Sequence, residues 1–265
     1  KHNNVDLVMH FTAKTSVPES FEKPLDYFEN NAFGTMNLLQ NCLKSNVRRL
    51  IFSSTAAVYG DTKKDFVTEE DELKPINPYG ESKVFSEQMI KRASESHGLN
   101  AIILRYFNVA GASAENHLGQ KNPNANHLFH HLTETASGRQ KTMFIYGNDY
   151  PTVDGTGVRD FIHVEDIANA HILAAEKLFA EDRYLQTFNC GYGHGFSVLQ
   201  ALRTMEKMSN RQIPFEMAAR RAGDPAKVLA KVDKIKSALE WKPQFDDLDI
   251  ICKTSFDWKN KSASK

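Results

Sequence analysis

The stretch Asn77–Lys83, NPYGESK, decides how this chain is read. Asparagine followed by proline is a helix start. The Asn side chain can cap a free backbone N–H, and Pro78 stands where its missing N–H costs nothing. Phe85, Met89, Ile90 and Ala93 then recur at helical spacing, and Gly98 offers a stop. In such a helix Tyr79 and Lys83, four residues apart, share a face. A phenol beside a helix N-terminus and an ammonium is shifted toward the range where it can exchange protons. The same spacing recurs at Tyr59–Lys63, but Gly60 and Asp61 predict a turn there. Spacing alone leaves an ordinary surface pair open at Tyr79–Lys83, so the surroundings must decide.

Working outward, RRLIFSS (Arg48 to Ser54) and NAIILRYFN (Asn100 to Asn108) are apolar runs of strand length, and VDLVMHF (Val5 to Phe11) is a third. Between the first and second of these in chain order, Leu25, Phe28, Ala32, Met36, Leu39 and Leu43 predict a helix over 25–45. Alternating helices and nearly continuous apolar strands mean an α/β fold with a doubly wound parallel sheet. Ser53, Ser54 and Thr55 then lie at a strand's C-terminal end, where sites gather in open α/β sheets. From Gly111 to Asn148 the chain turns polar, with one helix expected near 128–137. Further elements are predicted as a helix from Val164 to Ala180, a strand at 186–191, a helix at 197–208 and a short strand in QIPFEM (Gln212 to Met217). Helices at 232–240 and 248–258 follow.

The 265 residues carry 33 Lys+Arg and 33 Asp+Glu, so no global field draws the protein to nucleic acid or anionic lipid. Three cysteines, Cys42, Cys190 and Cys252, are odd in number and lack a CxxC, which points to a reducing compartment and against a disulfide framework or zinc site. No apolar run approaches membrane-spanning length. A cytoplasmic globular protein with no nucleic-acid and no membrane partner is expected.

SST followed by YxxxK looks like the Ser/Thr–Tyr–Lys set of extended short-chain dehydrogenases/reductases. HFTAKTSVPES, NNAFGTMNLL, FSSTAAVYGD, LRYFNVAGA, GNDYPTVDGTGVRDFIHVEDIANAH and RRAGDP, with NPYGESK, closely resemble the UDP-glucose 4-epimerase family from Val5 to Trp258. The resemblance implies an NAD-dependent epimerase acting at C4 of a UDP-hexose through a 4-keto intermediate. Residues 1–110 and 158–190 would form a Rossmann-like NAD-binding domain, and residues 111–157 and 191–265 a smaller sugar-nucleotide domain. By the same resemblance Tyr79 is the base, Lys83 holds the nicotinamide ribose, and Thr55 bonds the sugar 4-oxygen. Phe11, Thr12, Ala13, Lys14, Asn30, Ser53 and Tyr106 join Tyr79 and Lys83 as cofactor residues. Asn108, His127, Leu128, Tyr146, Arg159, Arg221, Asp224 and Val228 join Thr55 as substrate residues. Guanidinium forks suit the two phosphates. A homodimer through the helices at 25–45 and 78–97 is implied, and no metal. The nucleotide-sugar dehydratases carry an acidic pair after the strand-end threonine; here Ala56 and Ala57 stand there.

Two features compete for attention. GYGHG (Gly191 to Gly195) follows a strand and opens a helix like a dinucleotide fingerprint, but Phe196 stands where its third glycine belongs. His127, His130 and His131 cluster without an acidic or cysteine partner at ligand spacing. Departures from the family pattern also appear. None of the 14 glycines supplies a GxxGxxG turn, so an N-terminal portion is expected to be missing and tight NAD binding by these residues alone is not expected. Thr15 stands where many members have a cofactor lysine, with Lys14 one place earlier, and Lys231 replaces a common acidic residue. A truncated homologue that binds sugar nucleotide or dimerises without catalysis stays open, as does an epimerase of another UDP-sugar such as UDP-GlcNAc, since Val228 would leave room for an acetamido group.

Overall fold

The computed structural model describes residues 4–221 and 223–262. The chain opens with β1 (Val8–His10), α1 (Val17–Glu22), α2 (Pro24–Tyr27) and α3 (Gly34–Lys44). It continues through β2 (Arg49–Thr55), β3 (Phe66–Val67), α4 (Pro78–His97) and β4 (Asn100–Tyr106). Next come β5 (Asn108–Ala110), α5 (Leu128–Ala136), β6 (Met143–Tyr146), β7 (Val158–Arg159) and β8 (Phe161–His163). Then follow α6 (Val164–Ala180), β9 (Leu185–Cys190), β10 (Phe196–Ser197) and α7 (Val198–Ser209). The chain closes with β11 (Phe215–Ala218), β12 (Lys227–Ala230), α8 (Asp233–Ala238) and α9 (Leu248–Ser262).

These elements divide into two compact units. The first holds residues 1–106, 170–190 and 231–241, the second residues 107–169, 191–230 and 242–265. Against the expected boundaries, 107–110 and 158–169 fall in the second unit and 231–241 in the first. Pairing explains it: β5 pairs with β8 and β7 with β12, while α8 packs on β9.

The first unit is built on a parallel sheet of order β1-β2-β4-β9, a Rossmann-like arrangement. Strands β2 and β4 are buried on both faces, as their unbroken apolar runs require. One face packs Leu50, Phe52, Ala101 and Ile103 against Leu39 of α3 and Ile90 and Ala93 of α4. Each Leu, Ile or Phe side chain of this set, fully buried, contributes about 1.5–3 kcal/mol. On the other face α6 is tied down by Arg49 Nε donating to Leu178 O at 2.9 Å. The helix expected over 25–45 is interrupted: Phe28–Phe33 widens into a π-turn between α2 and α3. The strand expected at 5–11 shortens to three residues, paired on one side with β2 among the described residues.

Helix α4 sets the geometry that matters most. Asn77 Oδ1 accepts from Gly80 N at 2.8 Å, Pro78 opens the first turn, and Gly98, at φ 65°, ends the helix in the left-handed region that favours glycine. Gly80 is needed for proximity: a Cβ there would lie 2.7 Å from Ala57 O. The helix start therefore rests directly on the turn that leaves β2.

In the second unit α5, α7 and α9 pack on one another around Leu132, Ala201, Leu202, Met205 and Ile251. Helix α7 starts with a capping box between Ser197 and Gln200. Short strands β5–β8, β6–β11 and β7–β12 pair in parallel.

Candidate active site

In the first unit the C-terminal end of β2 and the first turns of α4 bring three predicted residues together. Thr55 leaves β2 in extended conformation and its Oγ1 accepts from Ala57 N at 3.1 Å, capping a single 3-10 turn. The same hydroxyl lies beside the Tyr79 phenol and acts on it. Burial pushes that phenol above its ordinary range, and Thr55 pulls it back. This corrects the expectation that Lys83 and the helix end would depress it. The Lys83 ammonium instead donates to Ser53 O at 2.8 Å and lies 4.7 Å from the centroid of the Phe52 ring. Burial lowers Lys83 to about 8, and the Glu87 carboxylate works against that shift.

The competing pair does not face. The Tyr59 hydroxyl is buried, donating to Asn189 Oδ1 at 2.6 Å and accepting from Arg105 Nη1 at 2.9 Å, while Lys63 is exposed. The turn at Gly60 separates them.

Several residues that hold this site give no motif signal. Glu87, two turns after Tyr79, is fully buried and takes Arg105 Nε at 3.0 Å and Nη2 at 2.7 Å. Ser54 Oγ donates to the same carboxylate at 2.6 Å. Asn31 Nδ2 donates to Ser82 Oγ at 2.9 Å and to Lys14 O at 3.1 Å, pinning the segment after β1 to α4. The apolar and polar spacing of α4 places 79, 83 and 87 on one stripe, which is the only sequence signal that could have found Glu87.

The remaining predicted cofactor residues of the unit are placed as follows. Phe11 is exposed beyond β1, its ring 4.8 Å from that of His171, and Thr12 and Ala13 follow it. Ser53 Oγ and His171 Nε2 hold the Tyr106 hydroxyl at 2.9 and 2.6 Å. Asn30 Nδ2 donates to Asn31 Oδ1 at 2.9 Å. The Lys14 ammonium is paired with Asp26 at 3.1 Å, which makes it a poor stand-in for a cofactor lysine. These residues fit the nicotinamide end of NAD. Lys83 has three N–H donors and one protein acceptor among the described residues, so a ribose diol matches what remains.

The second unit assembles its own set. Arg159 on β7 is the register partner of Val228 on β12. Burial lowers the Arg159 guanidinium below its usual range, with Asp224 and Tyr150 opposing. Its Nη1 donates to Val158 O at 2.9 Å. The Arg221 guanidinium lies 3.7 Å from the Tyr146 ring centroid at the end of β6, and its Nη2 donates to Asn126 Oδ1 at 3.4 Å. Arg220 is spent differently, on Asp149 at 2.7 Å. His127 caps α5 by accepting from His130 N at 3.2 Å, Leu128 follows it, and Asn108 is exposed on β5.

GYGHG is explained by an internal carboxylate. Asp160 accepts from Tyr192 N at 2.7 Å and Gly193 N at 3.0 Å, so a carboxylate already occupies the two central amides of the turn. A Cβ on Gly191 would lie 2.5 Å from Asp160 Oδ2.

The family model of the NAD dependent epimerase/dehydratase family matches residues 1–191. A UDP-glucose 4-epimerase of Azospirillum brasilense is 45% identical over 259 residues, 98% of this chain and 74% of the relative. The crystal structure of UDP-glucose 4-epimerase from Bifidobacterium longum in complex with NAD+ and UDP superposes with a TM-score of 0.93 at 38% identity, covering 98% of this chain and 78% of that one. The UDP-Glc/GlcNAc 4-epimerase of Campylobacter jejuni gives 0.81 at 45% identity, covering 97% and 78%. The chain belongs to the NAD dependent epimerase/dehydratase family.

Proposed function

We infer that the chain carries out NAD-dependent epimerisation at C4 of a UDP-hexose through a 4-keto intermediate. The observation that carries the roles is the convergence of Thr55 at the end of β2 with Tyr79 and Lys83 in the first turns of α4, Lys83 being tied to the same strand end through Ser53 O. NAD, when bound, supplies reversible hydride transfer. Tyr79 takes the proton of the sugar 4-hydroxyl as C4 is oxidised and returns it when the ketone is reduced. Thr55 holds the 4-oxygen and relays that proton. Lys83 binds the nicotinamide ribose through its remaining N–H groups. Arg159 and Arg221 neutralise the diphosphate, Asp224 bonds the uridine ribose, Tyr146 lies beside the uracil, and Asn108, His127 and Leu128 complete the cradle.

The test is conversion of UDP-galactose to UDP-glucose with NAD present. Tyr79→Phe should lower the rate by about three orders of magnitude or more while leaving UDP-sugar binding in place. A residual rate above about a tenth of the wild type would remove Tyr79 from the role of base. Lys63→Ala should leave the rate unchanged.

UDP-GlcNAc is a second substrate on this reading. Val228, register partner of Arg159, is a small side chain where the family resemblance implies a bulky gate to the sugar pocket, and the Campylobacter relative is named for both sugars.

The protein works as a homodimer in the cytoplasm on this reading. Phe28, Phe33, Met36, Phe85 and Met89 line an apolar groove of about 1000 Å³ on the helical face formed around α3 and α4, and a second copy of that face would cover it. All three cysteines are free and buried, in keeping with a reducing compartment. Light scattering at micromolar concentration tests the assembly, and a monomer would refute it.

A further inference from the structure

The second unit contains a cavity of about 550 Å³ whose lining includes, of the residues named above for the sugar nucleotide, His127 alone. That volume is in the range of small-molecule sites. Its walls include Phe129 and Trp258, both nearly fully buried, with Ala110 and Ala112. Gly119 lies flat against the indole, since a Cβ there would be 2.5 Å from Trp258 Cγ, and Trp258 Nε1 donates to Gln120 O at 2.9 Å. The loop over the cavity is therefore anchored.

His130 is the polar group that this wall does not explain. Its side chain lines the cavity, the residue is 8% exposed, and its ring nitrogens make no hydrogen bond to protein among the described residues. Asn116 Oδ1 is the one side-chain nitrogen or oxygen buried without a partner among the described residues, so the His130 nitrogens keep access to open space and can meet an occupant of the cavity they line. Burial first, and then the Lys259 ammonium, hold His130 below the usual imidazole range, so at neutral pH it offers one N–H donor and one nitrogen acceptor. Lys259 is itself engaged by Glu134. Glu165, also in the lining, takes Ala114 N–H at 3.2 Å on one oxygen. Flat aromatic walls favour a planar body, the carboxylate disfavours anions, and carboxylate and imidazole both accept N–H.

We propose that this cavity binds an uncharged, planar nitrogen heteroaromatic bearing N–H donors, held between Phe129 and Trp258 and hydrogen-bonded to His130. An occupant would lie against β5, which carries Asn108, and against the start of α5.

Indole is the probe, titrated into the 15N-labelled chain and followed by amide shifts. Saturable shifts centred on Gly111, Gly119 and His130 are expected. His130→Phe, which keeps the ring and removes both nitrogens, should weaken binding by about tenfold, and 1-methylindole should bind the unaltered chain more weakly than indole by a similar factor. Non-saturating shifts, shifts elsewhere, equal binding by 1-methylindole, or an unaffected His130→Phe variant would each overturn the proposal. The 1-methylindole comparison uses the unaltered chain, so it holds even where the variant fails to fold.

Discussion

Ser54 Oγ donates to Glu87 Oε1 at 2.6 Å, joining the residue before Thr55 to the stripe of α4 that carries Tyr79 and Lys83. One residue earlier, Ser53 O accepts from Lys83 at 2.8 Å. The strand end and the helix are thus locked at two successive residues, and Arg105 balances the buried carboxylate.

Glu87→Gln breaks this lock. It leaves the Arg105 guanidinium buried with a neutral partner, and removing one member of a buried pair costs about 3–5 kcal/mol. Urea unfolding should show a loss of that order. A midpoint within experimental error of the wild type would mean that Glu87 does not hold the site together.

Lys83 makes activity and stability respond to pH in opposite senses. With the folded value at about 8, below the ordinary 10.5, the ammonium needed for the ribose is lost as pH rises through that value. Activity should therefore fall on the alkaline side above about pH 8. The unfolded chain keeps its proton longer, so this group's contribution to stability rises with pH between the two values. Lys83→Arg, whose charge persists at high pH, should abolish that alkaline limb; a limb unchanged in the variant would assign it to another group.

Asp160 carries the turn that resembles a phosphate loop. Its Oδ2 accepts from both Gly193 N at 3.0 Å and Ala230 N at 3.2 Å. Asp160→Asn replaces one acceptor with a donor facing N–H groups, at a cost of about 1–3 kcal/mol. Burial raises the Asp160 carboxyl to about 6, so its ionisation weakens the fold as pH rises from its unfolded value through 6. The stability difference between wild type and variant, measured by denaturation at pH 5 and pH 7, should change accordingly. Equal differences at both pH values would show that Asp160 does not titrate there.

Val228→Tyr tests the sugar pocket. A bulky ring at the partner position of Arg159 should cut kcat/KM for UDP-GlcNAc by about tenfold or more and spare UDP-glucose. Loss of both substrates in parallel would argue against a gate.

The parallel α/β class, the start and stop of α4 and the Tyr79–Lys83 face were all legible in the sequence. Each depends on local rules: capping at Asn77 and Gly98, apolar strand runs, and a helical period that needs no distant partner. Motif order along the chain was enough to place it in its family. What the tertiary structure decided is which groups each residue meets. The Glu87–Arg105 pair joins positions 18 apart, and Tyr59 meets Asn189 across 130. The phenol of Tyr79 answers to burial and Thr55 rather than to the lysine four residues on. GYGHG proves to enclose Asp160. Hydrogen-bond partners and desolvation depend on what packs around a group in space, and no local pattern encodes that.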